Sequence, residues 1–181
     1  VSKPSLARIT DKLARAQQAF LGAADAIPPD LWRTRPLEGG WSPAEITAHL
    51  CQVERTILGS ADRILRHPAR PTPLLKRLHL PLKLVESRLL RRKSPIPLDP
   101  ELLAEKETML AVLRGVRERT FAFLEETSTR NLSGYFWPHP FLGMLNAYAW
   151  FEMIAAHQLR HTRQMLQLFH NLPKHVVTSH N

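Results

Sequence analysis

The sequence predicts an all-α protein, a four-helix bundle with a long crossover between its second and third helices. Three observations lead there. Four segments carry apolar residues at helical spacing, start and stop signals lie at their ends, and no segment shows convincing two-residue alternation between turn signals. The 181 residues suit a single domain spanning 1–181, long enough to bury a substantial core.

The first helix is predicted over 5–26, where Leu6, Ile9, Leu13, Ala16, Phe20 and Ala24 recur along one face. It stops at "AIPPD", because a proline supplies no backbone N–H and clashes with the preceding turn. The second starts at "GGWSPAEITAHL". Ser42 suits the N-cap, Pro43 the first helical position and Glu45 the third, which together make a capping box. Its stripe is Ile46, Leu50, Val53, Ile57 and Ile64.

A basic, proline-rich connection follows at about 66–98, with room for a short helix around 82–92. The third helix is predicted over 100–127, with Asp99 as cap and Glu101 and Glu105 near its positive end. The loop "STRNLSGYFWPHPFLG" then leads to a fourth helix over 143–170. The long link leaves the second and third helices free to run parallel.

Composition excludes several classes. Apolar content of 44% is ordinary for a globular chain. No apolar run approaches the ~20 residues a membrane-crossing helix needs, and the N-terminal stretch lacks the apolar core of a secretory signal. Cys51 is the single cysteine, so no internal disulfide forms, in keeping with a reducing compartment. A cytoplasmic protein is expected. The net charge of +9 is concentrated: residues 66–93 hold nine Lys/Arg against Glu86 alone, a local +8. The rest of the chain is almost neutral.

"IAAHQLRH", residues 154–161, places two histidines four residues apart. At about 100° per residue, His157 and His161 fall in the middle of the stripe formed by Ala147, Trp150, Ile154, Met165 and Leu168. His49 sits on the Ile46, Val53, Ile57 side of the second helix. Each alone reads more readily as a hydrogen-bonded core histidine than as a ligand. Three imidazoles in one core without a shared partner would leave several buried nitrogens unsatisfied, at about 1–3 kcal/mol each. A divalent ion would satisfy one nitrogen per ring and keep coordination positions open. Gln158 stands where a zinc peptidase of the H-E-x-x-H type has its glutamate, which disfavours that chemistry.

"GGWSPAEITAHLCQVE" and "HPFLGMLNAYAWFEMIAAHQLRHTRQM" resemble the DinB-like (YfiT-type) superfamily. Its signatures are W-S-x-x-E-x-x-x-H-L-x-x-x-E and H-P-x-x-G…H-x-x-x-H-x-x-Q. The resemblance implies a four-helix bundle, often a homodimer, with a divalent metal on His49, His157 and His161. Zinc or nickel is the expected ion. It also implies a small-molecule substrate and, by analogy with relatives, thiol S-transferase chemistry with a low-molecular-weight thiol as cosubstrate. Metal-dependent hydrolysis is the alternative. The basic link is longer and more charged than a small member of that family needs.

No catalytic residue is assigned. His139, in "PHPF", is a candidate for the pocket mouth or a solvent-facing loop histidine. Glu54 is a candidate for orienting a ligand or for an exposed ion pair. Trp41 is expected to staple the helix start or pack in the core, and Cys51 to pack. A rival reading makes 66–93 a binding segment for an anionic membrane, nucleic acid or an acidic partner. No aromatics interleave its basic residues, so specific nucleic-acid binding is not expected.

Overall fold

The computed structural model describes residues 6–36, 39–69 and 103–171. Helix α1 spans Leu6–Asp25 and buries Ile9, Leu13, Ala16, Phe20 and Ala24, the face its periodicity marked. A 3-10 turn at Pro29–Leu31 follows the prolines, and the Trp32 ring beyond it is fully buried. Helix α2 spans Pro43–Leu65. Its capping box is present: Ser42 Oγ accepts from the Glu45 N–H at 3.2 Å, and the Glu45 carboxylate accepts from the Ser42 N–H at 2.8 Å. That cap fixes the residue at which α2 begins, and with it the rotation of every side chain along the helix.

Helix α3 covers Lys106–Glu126 and starts later than the predicted position 100. Asp99, the expected cap, lies outside the described residues, and the cap position is held by Glu105. The physical reason is packing. Leu103 and Ala104 rest against the core before the helix begins. Lys106 then donates to the carbonyls of Asp25 and Ile27, at 3.1 and 2.8 Å, and ties the start of α3 to the end of α1. The proposed short helix around 82–92 lies outside the described residues, as does most of the basic link.

The fourth helix also begins later than predicted. Helix α4 spans Ala147–Asn171, and residues 143–146 form a strand instead. Strands β1 (Phe136–His139) and β2 (Gly143–Asn146) pair antiparallel, with Trp137 opposite Leu145 and His139 opposite Gly143. No strand was expected, because Pro138 and Pro140 mask the pattern in so short a hairpin. Gly143 takes φ 75°, the left-handed conformation that lets the chain reverse after three loop residues. Asn146 Oδ1 then accepts from the Ala149 N–H at 2.9 Å and caps α4.

The bundle pairs α1 with α4 and α2 with α3, and α2 also meets α4. Its core has two parts. One joins Ile9 and Leu13 of α1, Ile57 of α2, the hairpin and the start of α4. The other joins Phe20, Trp32, the start of α2, Leu110 and Leu113 of α3, and Met165. No helix among the described residues is long and apolar enough to cross a membrane.

Candidate metal centre

His49 lies seven residues past the Ser42 cap, so the cap sets its direction. His157 and His161 lie one turn apart on α4. The helices bring the three together as the stripe reading expected. His157 Nε2 is 3.2 Å from His49 Nε2 and 3.2 Å from His161 Nε2. One ligand nitrogen from each ring falls within 4.8 Å of the others. His49 and His161 are buried; His157 is half-buried as a residue, yet its imidazole is densely enclosed.

Electrostatics keep these rings ready to donate lone pairs. Burial pulls the His49 pKa down to about 4. Burial also holds His157 well below the ordinary value, reinforced by repulsion from His161 and His49. Both are neutral at pH 7. Gln164 Oε1 lies 2.9 Å from His161 Nδ1. An oxygen there accepts a hydrogen bond from Nδ1–H, which leaves the Nε2 lone pair of His161 facing the centre.

Protons alone satisfy this geometry poorly. His157 Nε2 faces two other nitrogens and carries at most one proton, so it cannot make two good donor–acceptor contacts. A cation accepts all three lone pairs. Two of the nitrogen separations are 3.2 Å and all lie within 4.8 Å, close enough for one cation to be held by the three rings. The donor set therefore fits a divalent ion, with imidazoles that suit zinc, nickel, copper or iron.

Trp41 completes the surroundings. Its ring lies 4.7 Å from that of His49 and stacks at 6.2 Å and 15° on His161. The residue packs against the core as expected, and it also forms a wall of the centre. Gln164 was present in the quoted motif without a role. Replacing it with alanine should weaken divalent-ion binding by roughly 10- to 100-fold, read by competition with a chromophoric chelator. Unchanged affinity would mean that the Nδ1 contact orients nothing.

A second polar group lies close by and was not anticipated. Arg117 of α3 is 1% exposed. Its Nε and Nη2 grip the Glu54 carboxylate at 2.8 and 2.9 Å, its Nη2 reaches Gln158 Oε1 at 2.8 Å, and its Nη1 donates to the Leu13 carbonyl. The Thr120 hydroxyl donates to Glu54 at 2.7 Å. All four helices meet in this layer, where the two parts of the core adjoin. The available signal was spacing: Leu110, Leu113, Arg117, Thr120 and Leu124 share one face of α3.

Glu54 is thus buried and held by Arg117, neither exposed nor hydrogen-bonded to a histidine among the described residues. Gln158 is turned to the same arginine. His139 sits half-buried in the hairpin, its ring 5.0 Å from Trp150. Cys51 is buried and its thiol is pushed up to about 12 by burial, so it packs and does not react.

Residues 12–165 match the family model described as the DinB superfamily. The chain is also 26% identical over 136 residues to "Uncharacterized protein YuaE" of Bacillus subtilis (strain 168), covering 74% of this chain and 80% of that protein. No solved structure matches the chain.

Proposed function

The chain belongs to the DinB superfamily, and from that premise we propose that it is a metal-dependent enzyme joining a low-molecular-weight thiol to an electrophilic small molecule. The observation that carries this reading is the convergence of His49, His157 and His161 on one point. These three would hold the ion, zinc or nickel. Once bound, it would supply a Lewis-acid centre that lowers the pKa of a thiol or water at an open position.

The chain's own residues favour the thiol. No carboxylate joins the histidine cluster among the described residues, and the nearby buried Glu54 is engaged by Arg117. On the ion either nucleophile would ionise more readily, and a thiol would start from the lower value, about 8.5 when free. Trp41 and the buried flanks of both helices limit water around the rings, which strengthens charge interactions there.

The test is elemental analysis of protein purified without a histidine tag, followed by a thiol screen. Wild type and His170→Ala should carry about one zinc or nickel per chain, and His157→Ala almost none. His170 is exposed on the last turn of α4, so it controls for adventitious binding. Absence of metal after incubation with either ion would remove the proposal. A loaded protein that consumes no thiol with any alkylating electrophile would remove the transferase assignment and leave the ion site standing.

A further inference from the structure

We propose that Arg117 is a positioning residue for the three-histidine centre: its guanidinium sets the register of α4 against α2, and so the spacing of His49 from His157 and His161. This rests on the metal-centre reading above and adds the group that holds its geometry.

The candidate ligands come from helices that belong to different pairs. His49 rides on α2, which packs chiefly on α3, whereas His157 and His161 ride on α4, which packs chiefly on α1. Apolar contacts between the two pairs tolerate sliding, because hydrophobic burial is non-directional. A fixed ligand spacing needs a directional bridge across them.

Arg117 of α3 supplies one. Its two-pronged grip on Glu54 fixes both the height and the rotation of α2, five residues and about 7.5 Å of helix beyond His49. Its Nη2 also donates to Gln158 Oε1 at 2.8 Å, and Gln158 directly follows His157. The Nη1 donation to the Leu13 carbonyl ties in α1. One planar cation thus joins both helix pairs within two turns of the histidines.

Gln158 shows that the bridge is more than packing. It is 1% exposed, and its Nε2 has no hydrogen-bond partner among the described residues. Arginine only donates, so Oε1 must face Arg117 and the amide nitrogen is left over. A hydrocarbon would fill the same space without stranding a donor. What the amide adds is its contact with Arg117, a buried polar contact of the kind that fixes register at a cost in stability.

Gln158→Met keeps the length of the side chain and removes the oxygen, while Glu54 stays paired with Arg117. Arg117→Lys keeps the charge and loses the fork. Leu132→Ala opens a cavity in the part of the core that holds the hairpin, and so controls for general softening. The full-length proteins are titrated with Co²⁺ well below their melting temperatures, following the cobalt absorbance. Gln158→Met and Arg117→Lys should bind Co²⁺ at least roughly tenfold more weakly than wild type, with altered ligand-field bands. Gln158→Met should melt within about 4 °C of wild type. Leu132→Ala should melt lower and keep the wild-type affinity and bands.

Wild-type affinity and bands in Gln158→Met overturn the proposal, as does an equal loss of affinity in Leu132→Ala. Failure of wild type to bind Co²⁺ sinks this proposal and the metal centre together, whereas equally tight binding in every variant sinks this one alone. If neither site variant folds, wild type decides. Coupling between sites is reciprocal, so Zn²⁺ must slow solvent exchange of the Arg117 Nε–H, and an unchanged rate refutes the assignment.

Discussion

Glu54→Ala should lower the free energy of unfolding by about 3–5 kcal/mol, read from the urea midpoint at pH 7. The substitution leaves the Arg117 guanidinium buried at 1% exposure with two of its acceptor contacts gone. It also frees Thr120 of its carboxylate partner. Water cannot reach the stranded charge without opening the junction of four helices. Replacing the pair together, Glu54→Leu with Arg117→Met, should cost less than Glu54→Ala alone, because no charge then remains to be desolvated. If the double variant is as unstable as the sum of the single variants, the pair is not coupled and the account is wrong.

Metal-free protein should lose on the order of 3 kcal/mol of stability between pH 6.5 and pH 4 through His49 alone. The sign follows from burial. His49 titrates near 4 when folded and near the ordinary histidine value of about 6.5 when unfolded. In that window the unfolded chain binds the extra proton. The contribution is full above 6.5 and disappears as the pH falls through the folded value. His157, lowered by burial and by its neighbours, acts in the same direction. Urea midpoints in the presence of a chelator should fall more steeply with acid in wild type than in His49→Leu. Parallel pH profiles would show that His49 is not held neutral by its surroundings.

Much of the fold was legible because its signals are local. The face of α1 followed from spacing, and the start of α2 from Ser42, Pro43 and Glu45, residues adjacent in the chain. The start of α3 was misplaced because it depends on Lys106 meeting carbonyls of Asp25 and Ile27, some eighty positions away. The hairpin was hidden because prolines obscure a four-residue strand, and Gly143 acts through a backbone angle no periodicity reports.

The candidate site divides in the same way. That His49, His157 and His161 face inward was determined by the sequence itself, since rotation along a helix is set by residue count from its start. That their Nε2 atoms meet at 3.2 Å was decided by how α2 packs on α4. The wall made by Trp41, the orientation supplied by Gln164 and the burial of Arg117 against Glu54 belong to tertiary structure as well. A helical period says which side of a helix is buried. Which polar group waits on the facing helix is settled only when the two are packed together.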